Sequence, residues 1–497
     1  MNERPALVQI NTDDVIGEVS PLLFGGFAEH LGRCIYGGIY DPDAELSDAR
    51  GFRTDVLAAL REMKLTILRY PGGNFVSGYN WRDGVGPREH RPRRRELAWQ
   101  SIETNQFGTN EFVEFCRELK AEPMMAVNLG TGSLNEVSAL VEYCNAPMGT
   151  EFADLRMMHG FPKPHEIKYW CLGNEMDGPW QIGALSAEDY AKKAREAAKI
   201  MKWHDPRIKT ILCGSSGPFM RTFPEWDRTA LTHCWEQTDY LSLHNYATNW
   251  ENDTPSFLAY ANQLEGQLTQ LRTVLAEVKQ KLKSKHDVQL CWDEWNVWYK
   301  DRNGNGQWQE APHLCEEVYN LEDALVVAQW LNVLLRNCDV VTIACIAQIV
   351  NVISPLLTTR EKVLKQSTFF PFVMYANHCA GRSLRARVKA PVYETKRFGE
   401  APVLDVAVTQ DPTSGGGAVF LVHRQMDQSL EVEIAWEGKA PTRVTEAQQM
   451  WGMNPKAANS FDRPDVVVPK AMGVPVVKDG RVRVKLPPLS FTMLVTS

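Results

Sequence analysis

Between residue 22 and about residue 350, short apolar runs alternate with longer amphipathic stretches. The apolar runs are LLFGGFAEH (22–30), LTILRYPGG (65–73), MMAVNLG (124–130) and IKYWCLGNE (167–175). They continue with KTILCGSS (209–216), YLSLHNY (240–246), VQLCWDEWN (288–296) and VTIACIAQIVN (341–351). Each has the length of a buried strand. Among the stretches between them, TDVLAALREMK (54–64), AEDYAKKAREAAKIMKW (187–203), 257–282 and 320–337 place apolar residues at helical spacing. Eight strands, each followed by a helix, predict a (β/α)8 TIM barrel. An open doubly wound sheet is the alternative, and it is disfavoured because no glycine-rich nucleotide fingerprint follows the first strand.

After about residue 380 the pattern changes. LDVAVTQ, AVFLVHRQ, LEVEIAW, TRVTEAQQMWG, DVVVP and VRVKLPPLSFTMLVTS read as short strands broken by SGGGA, KDG and proline. They predict an all-β, jelly-roll-like sandwich. PALVQINTDDVIGEVS at the start also reads as strand. The expected division is an N-terminal segment (1–20) joining the sandwich, a catalytic barrel (21–380) and a C-terminal sandwich (381–497). With no low-complexity linker in view, the two domains should pack directly.

Composition narrows the function. A hydrophobic share of 44% and a charged share of 23% are those of a globular chain, and the net charge of −7 sets up no field for nucleic acid or anionic membrane. The basic run Arg88–Arg95 reads as a solvated or ion-paired loop. The N-terminal MNERPALVQINTDD has no apolar stretch of signal-peptide length, and nothing later is long enough to span a membrane. The 11 cysteines are scattered without a CxxC pair, which suggests neither zinc nor a disulfide framework. Reduced thiols and a cytoplasmic location are the expectation.

Barrel enzymes carry their chemistry at the C-terminal ends of the strands. Those ends are polar here: Glu29 and His30; Arg69 and Asn74; Asn128; Asn174 and Glu175; Ser215 and Ser216; His244, Asn245 and Tyr246; Glu294, Asn296 and Trp298; Gln348 and Asn351. Any one could be a satisfied structural residue, such as a salt-bridged Arg69, a buried His244 or a turn residue at Asn74. Together they describe a sugar-binding rim. Glu175 and Glu294, each closing an aromatic strand, are the pair that retaining glycoside hydrolysis requires, one protonating the leaving oxygen and one attacking the anomeric carbon. Burial and a negative neighbour would keep Glu175 protonated, while Arg69 and Tyr246 suit an ionised Glu294.

The stretches GGFAEHLGRCIYGG (25–38), LRYPGGNFVSGYNWRDG (68–84), WQSIETNQFGTNEF (99–112), LGNEMDGPWQIG (172–183), SLHNY (242–246) and DEWNVWY (293–299) resemble the α-L-arabinofuranosidases of glycoside hydrolase family 51. The resemblance runs over essentially the whole chain. It implies Glu175 as acid/base and Glu294 as nucleophile. It implies Glu29, Asn74 and Asn174 on the furanose hydroxyls and Arg69 and Tyr246 beside the nucleophile, with His244 on the same rim. Gln348 falls near a sugar contact, with Asn351 as the alternative register. Trp180 and Trp298 are implied near the aglycone, with Trp99 a looser candidate.

The expected activity is retaining, exo-acting release of terminal arabinofuranosyl groups from arabinan- or arabinoxylan-derived oligosaccharides, without cofactor or metal. Another retaining activity (β-xylosidase or endoglucanase) and a non-catalytic carbohydrate-binding relative are the alternatives. The resemblance suggests a homo-oligomer, a hexamer. The segment 301–319 reads as a lid, a substrate rim or an oligomer contact. Calcium is disfavoured around Gly304 and Gly306 because alternating acidic ligands are missing.

Overall fold

The computed structural model describes residues 5–299, 305–379 and 381–497. Eight parallel strands close into a barrel: β1 (Gly25–Phe27), β2 (Ile67–Tyr70), β3 (Glu122–Ala126), β4 (Tyr169–Leu172), β5 (Lys209–Leu212), β6 (Tyr240–Ala247), β7 (Gln289–Val297) and β8 (Val341–Ala347). They pair in chain order, and β8 closes onto β1 through Cys345–Gly25 and Ala347–Phe27. Each strand leads into a helix, from Thr54–Glu62 after β1 to Phe369–His378 after β8. Ser133, Ser186 and Asn320 cap three of these helices by accepting a backbone N–H with their side chains, which holds the first turn and places the preceding loop. The interior below the mouth is filled by Phe27, Ile67, Met124, Tyr169, Ile211 and Ile343. The barrel is a packed core open only at its rim.

Besides three two-stranded hairpins, the other β structure among the described residues is a nine-stranded sheet. The N-terminal strand Ala6–Glu18 sits within it, antiparallel to Arg382–Lys389 and parallel to Leu430–Glu437. One face of the sheet closes on its own apolar cluster, including Val8, Ile10, Leu421 and Ile434. The other face carries Phe420 and Phe491, which stack on Tyr375 at 3.9 and 5.4 Å between ring centroids. The helix Leu321–Arg336 is caught between barrel and sheet, and all of its residues but Arg336 are buried. Arg336 pairs with Glu265 and Asp405, and Asn332 donates to Asp405 at 2.7 Å. A helix apolar on nearly every side needs such a double partner.

Besides the short hairpins, which were not expected, the structure departs from the expected strands in two places. DVVVP (465–469) is not a strand: prolines flank it, and Val467 is held instead by both backbone hydrogen bonds to the Asn459 amide. Arg382–Lys389, absent from the expected strands, is one; it lies inside the sheet between Ala6–Glu18 and Leu404–Gln410, and its alternation of arginine with Leu384, Ala386 and Val388 gives it one buried and one solvent-facing side. The basic run is ion-paired, Arg91 to Glu111 and Arg94 to Asp83. Residues 301–304, including Gly304, lie outside the described residues. Beyond them the chain lies along the 94–103 hairpin, where Gly306 and Trp308 donate to the carbonyls of Trp99 and Gln100 at 2.8 and 2.7 Å.

Candidate active site

β4 stops at Leu172, and Gly173 (φ +87°) turns the chain so that Asn174 and Glu175 follow in the mouth. Glu175 itself takes φ +43°, a conformation a side chain adopts only where its surroundings impose it. Here its carboxylate is held from two sides. His244 Nδ1 from β6 lies 2.8 Å from Oε1, and the Trp180 indole donates to Oε2 at 2.6 Å.

Glu294 on β7 is held by a different donor set. Arg69 Nη1 from β2 donates to Oε1 at 2.6 Å, and the Tyr246 hydroxyl donates to Oε2 at 2.7 Å. The other end of the Arg69 fork donates to Asn174 Oδ1 at 2.6 Å, which fixes that amide with its NH2 turned the other way, where it donates to Gln181 Oε1 at 3.4 Å and has a second hydrogen to offer. His244 Nδ1 is also 3.5 Å from Glu294 Oε2. One oxygen of Glu175, one of Glu294 and His244 lie within 4.8 Å of one another. Two carboxylates and an imidazole are also metal-ligand types, but all four carboxylate oxygens already face protein donors.

The electrostatics separate the two acids. Burial pushes the Glu175 carboxyl up, and the negative Glu294 adds to this, while His244 and Trp180 oppose it. Burial works against a charged His244, yet Glu294, Asp293 and Glu175 outweigh it and push the imidazole up to about 10. Burial and the adjacent Glu294 hold the Tyr246 phenol well above its usual range, so it stays a donor. A carboxyl pushed toward its protonated form and a carboxyl bound by Arg69 and Tyr246 thus stand side by side.

Glu29 lies across the mouth. Its Oε1 accepts from the Phe75 amide and the Trp99 indole, both at 3.0 Å, and its Oε2 from Gln348 at 3.2 Å. Burial pushes its carboxyl up to about 8. A Cβ at Gly73 would collide with that carboxylate, so glycine is what allows the Pro71–Gly73 turn to close over it. Asn74 follows that turn and is half-buried. Trp99, expected loosely on the aglycone side, is buried against Glu29 instead. Trp298 packs edge-on against Tyr246 at 5.1 Å, and Trp180 is 44% exposed with Phe219 beside it.

Other rim residues serve the scaffold. Asn245 hydrogen-bonds Gln267 and Tyr260, Asn296 donates to the carbonyls of Ala347 and Ile353, and Asn351 donates to the Arg33 carbonyl and to Thr358. Gln348, not Asn351, reaches Glu29. Ser215 and Ser216 bind Asp177, and His30 bridges Glu103 and Tyr70. Two site residues were missed from the sequence. Gln181 spans Asn174 and Ser77, and Asp293 lies buried beneath Glu294. Gln181 lies six residues after Glu175 inside the stretch LGNEMDGPWQIG (172–183), but off a strand end, where the rim reading does not look. For Asp293, the run DE was a signal that simple strand alternation hides.

Paired carboxylates in this setting, at the C-terminal mouth of a (β/α)8 barrel, define a glycoside hydrolase. Residues 59–264 match the α-L-arabinofuranosidase 1 domain family and residues 293–490 the α-L-arabinofuranosidase C-terminal domain family. An intracellular exo-α-(1→5)-L-arabinofuranosidase of Streptomyces lividans is 44% identical, over 99% of this chain and 75% of the relative. One of that name from Bacillus subtilis is 41% identical over 99% of both chains. The solved structure of AbfB, a family 51 α-L-arabinofuranosidase from Bifidobacterium longum, superposes with a TM-score of 0.96 at 36% identity over the whole of both chains. The chain belongs to the α-L-arabinofuranosidases of glycoside hydrolase family 51.

Proposed function

We propose that this chain is a retaining, exo-acting α-L-arabinofuranosidase in which Glu175 is the acid/base and Glu294 the nucleophile. The observation that carries the reading is the close pair of carboxylates with opposed surroundings. Their nearest oxygens are within 4.8 Å, in line with the roughly 5–5.5 Å of retaining pairs and short of the 6.5–9.5 Å of inverting ones. In the first step a Glu294 oxygen bonds to the anomeric carbon while the bond to the leaving oxygen breaks. The Glu175 proton passes to that oxygen, and the alcohol departs. Glu294 is then a neutral ester, so its negative charge no longer adds to the effect of burial on Glu175, which can give up its proton and serve as a base. Water gives its proton to Glu175 as its oxygen bonds to the anomeric carbon and the ester breaks, and arabinose leaves with retained configuration.

Arg69 and Tyr246 keep Glu294 ionised and aimed. Asn174, Glu29, Asn74 and Gln348 supply donors and acceptors for the furanose hydroxyls, and Trp180 and Trp298 flank the departing sugar. The substrates are terminal arabinofuranosyl groups on arabinan- or arabinoxylan-derived oligosaccharides. A cytoplasmic location, supported by the names of the relatives, suits short imported oligosaccharides. The homo-hexamer belongs to the same proposal, and sedimentation of the purified chain tests it.

The roles separate by leaving group. Glu175→Ala should lose far more activity on oligosaccharides than on nitrophenyl arabinofuranoside, with azide restoring turnover to a retained azide product. Glu294→Ala should lose all substrates alike, by several kcal/mol of barrier at least. The reverse pattern would exchange the roles, and equal losses without rescue would contradict double displacement.

A further inference from the structure

Side chains along β7 do not alternate through the catalytic segment. Trp292 and Trp295 face outward onto Trp330, with ring centroids 5.8 and 5.4 Å away, while Cys291 lines the barrel interior. Between the tryptophans stand two residues, Asp293 and Glu294, and both contact Arg69, at 3.0 and 2.6 Å. The pairing registers show how. Against β6, Cys291 pairs with Ser242 and Glu294 with His244, so three steps on β7 face two on β6. Against β8, Trp292 pairs with Ala344 and Trp295 with Ile346, again three steps against two. Against β6 one extra residue is inserted as a bulge, while on the β8 side the shift is offset one pair earlier, where Leu290 and Cys291 pair with Val341 and Ile343; the irregularity brings a second carboxylate to the same side as Glu294.

Asp293 is 1% exposed, and its neighbours are the groups that act on the two catalytic acids. Oδ2 meets Arg69 Nε at 3.0 Å, and Oδ1 accepts from the Ser242 hydroxyl and stands 3.5 Å from His244 Nε2. Arg69 passes the constraint to Glu294 and Asn174, and His244 passes it to Glu175. We infer that Asp293 is a positioning residue for the reaction: its buried charge, placed by the bulge, sets the orientation of Arg69 and keeps a proton on His244 between Glu175 and Glu294. The inference rests on the acid/base and nucleophile assignments above.

The charges around it are consistent with this. The groups facing Asp293 are Arg69 on β2, Cys171 on β4, Cys213 after β5, His244 on β6, Cys291 and Glu294 on β7, and Cys345 on β8. Burial pushes all four of these thiols up, so they stay neutral. With Glu175 protonated, two anions, Asp293 and Glu294, balance two cations, Arg69 and His244. Removing one anion leaves surplus positive charge in a site where desolvation amplifies it.

Asp293→Asn keeps the shape and removes the charge, and the readout is the pH profile of kcat/KM with nitrophenyl arabinofuranoside. Every remaining proton in the cluster becomes easier to lose, so the basic limb should move to lower pH by about half a unit or more. Alongside it kcat should fall about 10- to 100-fold with KM within about threefold. A limb at the wild-type pH, or a kcat within about twofold, would overturn the inference. Ser242→Ala is the second variant and covers the case in which Asp293→Asn does not fold. It removes only the hydroxyl that donates to Asp293, so the local potential becomes more negative and the limb should move the opposite way, to higher pH. A Ser242→Ala enzyme identical to wild type, with Asp293→Asn either unfolded or unshifted, would also overturn it. Exchanged roles for Glu175 and Glu294 would show as a reversed leaving-group pattern, whichever way these limbs move.

Discussion

The indole nitrogen of Trp180 donates to Oε2 of Glu175 at 2.6 Å, although the ring around it is 44% exposed. In the proposed roles, one residue thus serves both the departing sugar, through its face, and the acid, through its donor. A donor to a carboxylate favours its charged form, so the indole holds the Glu175 pKa below what burial alone would set. Trp180→Phe keeps most of the face and removes the donor. The basic limb of kcat/KM should move to higher pH by about half a unit. Trp180→Ala should in addition raise KM for oligosaccharides several-fold, leaving nitrophenyl substrates nearly unaffected. An unmoved limb in the Phe variant would mean that the indole does not tune the acid.

Asn174 gives the test of transition-state recognition in the proposed site. Its oxygen is taken by Arg69, so the NH2 group is what can meet a ring hydroxyl. A bond to the 2-hydroxyl strengthens as positive charge develops on the ring. Asn174→Ala should lower kcat about 100-fold and change KM much less. An unchanged kcat with a raised KM would assign the residue to uniform binding.

His244 ties the site to stability. Its folded pKa of about 10 lies above the ordinary 6.5, so the fold binds that proton more tightly than the unfolded chain does. The resulting stabilisation is complete below pH 6.5, declines as pH rises, and is lost above about pH 10. Glu29, raised from 4.5 to about 8, acts with the same sign, its share falling away between those values. Melting temperature should therefore fall between pH 6.5 and 10, and more steeply for wild type than for His244→Gln. Parallel curves, measured by circular dichroism, would show that His244 carries no excess proton in the fold.

The barrel was legible because its strands are continuous apolar runs and its helices keep one period, as in 187–203 against the observed Ala187–His204. Position along a strand was equally legible, which is why Glu29, Arg69, Glu175, Tyr246 and Glu294 all come to one mouth. Direction was not. Asn245, Asn296 and Asn351 sit at the same height but turn into helices and backbone carbonyls, because a buried amide takes whatever partner its Cβ faces. Gln348 differs from Asn351 in aim rather than in chemistry. Asp293 could not be read at all from alternation, since an inserted residue reverses the parity of everything after it.

The sheet order has a consequence for how the protein is made. Leu7 pairs with Lys389 and Ala6 with Val432, so Ala6–Glu18, synthesised ahead of the barrel, finds its partners only after all eight barrel strands have left the ribosome. A nascent chain can complete the barrel while Ala6–Glu18 still waits with open edges. Contacts this distant in sequence close slowly, and an unpaired strand is a site for association with other chains. The vulnerable moment in the life of this enzyme is the interval between a finished barrel and a finished sheet.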